Sequence, residues 1–197
     1  MARMAAADNT SRQRMIDAAI TLMRGAGLSG AGINEIVRES GAPKGSVYHF
    51  FPGGKLALVA EGLSVYAERV RDFIDAALAS RTAPEDKVRA LFAAFARRVE
   101  QADYLSSCAV GTVSLDLDEE VVGLHTVLSD AFASWTGCIA SHFGPGDGER
   151  ARSFASFVLT AMEGAYIRCR AERSKQAFIE AGEWLAAIVR PAAGRSQ

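Results

Sequence analysis

No stretch of this chain stays apolar for the ~18–20 residues a membrane-spanning helix needs. The N-terminal "MARMAAADNTSRQRM" lacks the long apolar segment of a secretory signal. A cytoplasmic location is therefore expected. Cysteine is scarce: Cys108, Cys138 and Cys169 are odd in number, widely spaced and form no CxxC pair. Zinc sites usually cluster Cys and His, and His125 and His142 read as lying near no second ligand at metal spacing. No metal and no cofactor is expected. Buried free thiols are the plain reading, and a redox-sensing thiol is the alternative.

Catalytic signatures are missing as well. There is no G-x-S-x-G, no H-E-x-x-H and no phosphate-binding loop, since "GAPKGS" lacks the G-x-x-x-x-G-K spacing. "GPGDGE" at 144–149 has glycines but no preceding strand and no G-x-G-x-x-G spacing, so it reads as a loop. No strand is convincing, because the β-branched residues are scattered through alanine-rich helical patterns. No internal repeat is visible.

What is present is an ordinary globular composition of 197 residues, 49% hydrophobic and 23% charged, with net charge −1. The charge is unevenly spread. Residues 1–55 hold seven Lys/Arg against four Asp/Glu, a net +3, and the remainder holds −4. A basic head on an acidic body suits an anionic partner for the head.

The pattern predicts an all-α protein of about nine helices. "TSRQRMIDAAITLMRGAG" sets Met15, Ala18, Ala19, Leu22 and Ala26 at helical spacing, with Thr10 or Ser11 to cap it and Gly27 to end it. "INEIVRES" follows with Ile33, Ile36 and Val37 on one face, stopped by Gly41. Pro43 suits the first turn of a helix over about 43–50, which turns Val47, Phe50 and Phe51 inward. After Pro52-Gly53-Gly54 a long helix runs over about 55–80. Further helices are expected near 84–101, 110–117, 119–143, 148–172 and 175–190, with loose tails at 1–9 and 191–197.

The unit 33–51 has the sequence form of a helix-turn-helix, whose second helix enters the DNA major groove. With Val47 inward, Gly45 and His49 point away, and Ser46 and Tyr48 sit on the flanks. Gly45 admits a close backbone approach. Ser46, Tyr48 and His49 offer hydrogen bonds to phosphates or base edges. Lys44 and Lys55 each stand beside a helix N-terminus, where N–H groups and the dipole favour phosphate. A flexible turn with a solvated lysine is the competing reading of Gly53-Gly54-Lys55.

"INEIVRESGAPKGSVYHFFPGGKLALV" resembles the N-terminal domain of TetR-family transcriptional regulators. "APKGSVYHFFPGGK", "SSCAVGTVSLDLD" and "MEGAYIRCRAERS" resemble the LmrA/YxaF-like subgroup. The resemblance implies a homodimer with a DNA-binding head over 1–55 and a ligand-binding and dimerisation body over 56–197. It implies operator contacts by Lys44, Gly45, Ser46, Tyr48 and His49, and a phosphate contact by Lys55. Two departures stand out. Pro43 replaces a frequent Ser or Thr cap, and "SGAGIN" lacks the Thr that often opens the second helix. Ala31 and Gly32 are then poor contacts, and Ser29 or Asn34 could compensate.

The resemblance also implies a small-molecule effector, apolar or amphipathic, that releases a repressor from a palindromic operator. Phe92, Phe95, Tyr104, Trp135, Met162 and Tyr166 are candidate lining residues, although apolar identity alone does not separate lining from core. "DLDEE" at 116–120 could bind a cation or simply favour a helix N-terminus. Phe157, Val158, Ala161, Phe178 and Leu185 are expected to face a second copy. A helical interaction module or an enzyme without DNA binding is the alternative function.

Overall fold

A computed structural model describes residues 2–144 and 148–189. Among them there are nine α-helices and no strand: α1 Ala2–Gly30, α2 Ile33–Ser40, α3 Lys44–Phe50, α4 Gly54–Ala79, α5 Pro84–Gln101, α6 Ala109–Ser114, α7 His125–Ser141, α8 Glu149–Glu172 and α9 Gln176–Val189. The expected tail at 191–197 and the centre of the 144–149 loop lie outside the described residues.

Three expectations need correcting. The helix that was to start at Thr10 or Ser11 starts at Ala2, so neither residue caps it. The first nine residues include four Ala, two Met and one Arg, all strong helix formers. Gly27 does not end α1. It kinks it, with φ 65° and ψ −157°, and the helix resumes to Gly30. The single helix expected over 119–143 is divided. A 3₁₀ segment Glu119–Leu124, with non-helical torsions at Val121, precedes α7.

The chain forms two compact units: residues 1–68 with 107–131, and residues 69–106 with 132–197. This division does not follow the expected 1–55 and 56–197 boundary. The reason is visible at the end of α1, which is clamped by a segment 83 to 89 residues away in sequence. Ser107 N–H donates to Arg24 O at 2.8 Å, and Arg24 Nε donates to Ser107 O at 3.1 Å. Thr112 Oγ1 donates to Met23 O at 2.8 Å. At the kink, Leu28 N–H donates to Asp116 Oδ2 at 2.7 Å. A Cβ on Gly27 would overlap that same carboxylate. The acidic "DLDEE" is thus partly used inside the fold, because Asp118 Oδ1 also accepts from Val121 N–H at 3.2 Å.

Gly27 therefore carries both a positive φ and a steric limit. Gly27→Ala is expected to lose about 1–3 kcal/mol, the cost of holding a non-glycine residue in this sparsely populated region. Asp116→Ala alone should lose about 1 kcal/mol, because only one hydrogen bond to an exposed residue's carboxylate goes. Urea unfolding of both variants checks the order. An unchanged midpoint for Gly27→Ala would exclude the conformational limit.

The first unit is built on Met15, Ile16, Ala19 and Met23 of α1, with Ile36, Val47, Phe51, Leu58 and Leu63, all fully buried or nearly so. Arg12 pairs with Glu61 and places its guanidinium 5.2 Å from the Phe51 ring centroid, tying α1 to the start of α4. The second unit centres on rings. Phe95 stacks on Phe178 at 6.2 Å between centroids and 14° between planes, and Tyr166 meets Phe178 edge-on at 5.1 Å. Gly182 of α9 lies so close to α5 that an added Cβ would stand 2.8 Å from Phe92 Cβ. At the end of α5, Asp103 and Tyr104 adopt positive φ (48° and 59°), and Tyr104 N–H closes the helix onto Val99 O at 2.9 Å.

Candidate nucleic-acid interface

The turn between α2 and α3 follows from Gly41, which ends α2 in the left-handed conformation at φ 63°. Pro43 is the N-cap of α3 rather than its first helical residue, and no side chain caps the helix. With no hydroxyl at that position, the first turn closes through the backbone alone: Ser46 N–H donates to Pro43 O at 3.0 Å. Gly32 caps α2, also with no side-chain hydrogen bond. The Glu35 carboxylate folds back over Gly32 and occupies the space a Cβ would need. Ala31 is buried, as a poor contact should be. Asn34 is exposed. Ser29 is exposed too, but its hydroxyl donates to Ala26 O at 3.1 Å.

α3 has two unlike sides. Val47 is 0% exposed and Phe51, just past the helix end, is 2% exposed. Phe50 was expected inward but is only half-buried, its ring edge-to-face with His49 at 5.0 Å. The other side carries Lys44, Gly45, Tyr48 and His49, all exposed, with Ser46 half-buried at its edge. Tyr48 is 56% exposed although it is large and partly apolar. Gly54 opens α4 at φ 67°, and a Cβ there would lie 3.6 Å from Tyr48 Cε1. The Tyr48 ring thus borders the α4 N-terminus, next to half-exposed Lys55. Among the described residues, neither Lys44 nor Lys55 has an ion-pair partner. The six predicted DNA contacts therefore fall on α3 and the first turn of α4; four of them are exposed, and Ser46 and Lys55 are half-buried.

The predicted effector residues are placed differently. Phe92, Phe95 and Tyr166 join Phe178 in the ring cluster. Met162 is buried, and Trp135 is buried edge-on to Phe132 at 5.6 Å. Tyr104 is half-buried at the α5 terminus. A groove of about 520 Å³ between α4 and α5 is lined by other residues, among them Phe73, Ala77, Arg81, Ala90, Ala94 and Arg97. A second of about 250 Å³ lies between α1 and α2, beside Arg14, Thr21 and Glu39. Neither is lined by a predicted effector residue.

The expected pairing residues also divide. Val158, Phe178 and Leu185 are buried within the chain itself, and Ala161 is half-buried. Phe157 alone of the five is exposed, at 53%. The three cysteines are buried, as the sequence suggested, and none is in a disulfide among the described residues. Burial pushes the Cys138 and Cys169 thiols above the ordinary cysteine range. One expectation fails here. His142 does have potential co-ligands, because Cys138 lies four residues back in the last turn of α7 and Asp75 of α4 reaches both.

A glycine turn between two short helices, the second burying one side and showing cations and hydrogen-bonding groups on the other, defines a helix-turn-helix DNA-binding regulator. Comparison with known proteins agrees. Residues 15–61 match the model for bacterial regulatory proteins of the tetR family. Residues 84–184 match the C-terminal domain of LmrA/YxaF-like transcriptional regulators. The chain belongs to the TetR family of transcriptional regulators, with a C-terminal domain of the LmrA/YxaF-like type. It is 26% identical over 182 residues to the HTH-type regulator YxaF of Bacillus subtilis, covering 91% of this chain and 95% of YxaF. It is 28% identical over 167 residues to LmrA of the same organism, covering 80% and 85%. The crystal structure of a TetR regulator from Rhodobacter sphaeroides shares the fold, with TM-score 0.80 at 19% identity over 90% of this chain and 97% of that one. The family consists of regulators, not enzymes.

Proposed function

We propose that this regulator is a repressor that binds a palindromic operator as a homodimer and is released by a small apolar or amphipathic effector. The observation that carries the DNA side is the two-sided α3, with Val47 buried and Lys44, Tyr48 and His49 turned outward. Phosphates are held by Lys44, Tyr48 and Lys55, and base edges by Ser46 and His49, while Gly45 admits the backbone. A major groove accepts one helix, and a two-fold dimer presents two helices to half-sites about 34–36 Å apart. Such a protein works in the cytoplasm, where its operator is.

Release requires an effector that binds the DNA-incompetent form more tightly. Operator binding must then weaken effector binding by the same factor, typically about 5–150-fold. α4 suits the transmission. It is one helix of 26 residues with Lys55 in its first turn, spanning about 39 Å at ~1.5 Å per residue.

The test is binding to the DNA upstream of the protein's own gene, followed by anisotropy across a range of salt. Lys55→Ala should weaken binding to every sequence. It should also flatten the log–log salt dependence by about one unit, the loss of one phosphate contact. Full affinity with an unchanged slope removes Lys55 from the interface. Absence of any sequence-preferring complex with the wild type overturns the repressor reading and favours an interaction module.

A further inference from the structure

Three groups of different chemistry meet at one place in the second unit. Asp75 comes from the last turns of α4. Cys138 comes from the last turn of α7, and His142 follows that helix directly. One carboxylate oxygen, the thiol sulfur and one ring nitrogen all lie within 4.8 Å of one another. His142 Nε2 is 2.9 Å from Asp75 Oδ1.

We propose that Asp75, Cys138 and His142 form a binding site for a divalent metal ion of the zinc type. The donor set fits this class, since zinc takes thiolate at about 2.3 Å, imidazole at about 2.0–2.1 Å and carboxylate at about 2.0–2.2 Å. Ligands at those distances in tetrahedral array stand roughly 3.3–3.7 Å apart, so side-chain rotations alone can close the present arrangement around an ion. Mixed sulfur, nitrogen and oxygen donors select against magnesium and calcium, which take oxygen ligands. Three protein ligands leave a fourth position for water, as in open rather than structural zinc sites.

The surroundings favour a prepared site over a chance encounter. Lys87 Nζ of α5 donates to the His142 backbone carbonyl at 3.0 Å, fixing the residue just where the helix has ended. The Cys138 sulfur lies 3.8 Å from the Arg71 carbonyl, which orients the thiol toward α4. Cys138 is buried, but His142 is half-buried and Asp75 exposed, so an ion can enter from solvent past the carboxylate. On binding, the thiol gives its proton to solvent and the sulfur lone pair to the metal, with no change of oxidation state. The ion would pin α4 to the end of α7. This assignment does not depend on how the protein reads DNA, and it is tested without DNA.

Cobalt(II) is the probe, because thiolate coordination gives a near-ultraviolet charge-transfer band and tetrahedral coordination gives strong visible bands. Titration of the reduced chain should saturate at one cobalt per chain, and zinc should displace it. Cys138→Ser should lose the charge-transfer band. His142→Ala should weaken binding by more than the roughly 10–100-fold that loss of an outer-shell partner costs. Should Cys138→Ser fail to fold, Asp75→Asn carries the test, since this exposed position is expected to leave the far-ultraviolet circular dichroism unchanged. It should keep the charge-transfer band while weakening affinity by about 10-fold or more. The proposal is overturned if the wild type binds no cobalt, if the band survives in Cys138→Ser, or if Asp75→Asn binds as tightly as the wild type. In any of those cases His142–Asp75 is a hydrogen-bonded pair and nothing more.

Discussion

Trp184→Glu should leave the chain folded yet unable to pair with a second copy. Trp184 is 76% exposed on α9, and Ile188 beside it on the next turn is also exposed. On α8 the exposed positions Phe157, Thr160, Gly164, Ile167 and Ala171 recur at alternating spacings of three and four. That is the spacing of a helix-packing stripe. Polar neighbours rim it, with Arg168 pairing to Glu172 at 2.9 Å. Large apolar side chains presented together mark an association surface. A charge buried unpaired at its centre costs several kcal/mol, enough to turn a dimer into monomers at micromolar concentration.

Sedimentation of Trp184→Glu should therefore show one chain, with helical content unchanged and operator affinity largely lost. Phe157→Glu should behave the same way. Leu185→Glu should not, although it is the neighbouring residue. Leu185 is buried in its own chain, so that charge would unfold the unit rather than separate two copies. Dimeric sedimentation of both Trp184→Glu and Phe157→Glu would place the interface on another face.

The second large effect concerns Phe178. Its ring touches those of Phe92, Phe95 and Tyr166, and it is 0% exposed. Phe178→Ala removes the hub of that cluster and leaves a cavity that α5, α8 and α9 can only partly close. The expected loss is about 3–5 kcal/mol. For a chain of this size that lowers the melting temperature by roughly 6–20 °C. Calorimetry checks it, with Phe157→Ala as the control. The exposed ring should cost far less in a monomeric background. Equal losses at the two positions would mean that the ring cluster is not the organising core of this unit.

Those two phenylalanines also show where sequence reasoning stops. Helical periodicity found α8 and α9, because apolar residues recur at three and four. It could not say which apolar face the chain covers itself, since Phe157 and Val158 are adjacent and equally apolar. Only the helices packed against α8 decide that Val158 goes inside, where it is 1% exposed. By contrast, α2 and α3 were legible almost to the residue, because Gly41, Pro43 and the Val47–Phe51 pair are local signals. Phe50 is the exception, half-buried where the pattern set it inward, because it is the last residue of α3.

Long-range partners were not legible. Nothing in "DLD" announces that Asp116 holds a backbone amide 88 residues earlier. The Cys138–His142 spacing of four residues was passed over in the sequence, because its third member arrives from α4, 63 residues before Cys138. Both cases join elements distant in the chain, where local pattern carries no information.

The clamp on the end of α1 sets a rule for building hybrid regulators. A designer wishing to move this operator preference onto another sensor would naturally cut after the second short helix or after Lys55. Such a graft would carry the α1 terminus away from the segment that accepts and donates its hydrogen bonds. Arg24, Met23 and Leu28 would then face a foreign loop, and the kink at Gly27 would have no carboxylate to rest against. The transferable cassette is discontinuous: residues 1–68 together with 107–131. Hybrids that exchange both pieces should express and recognise the original operator, whereas hybrids that exchange only the first should be the ones that aggregate.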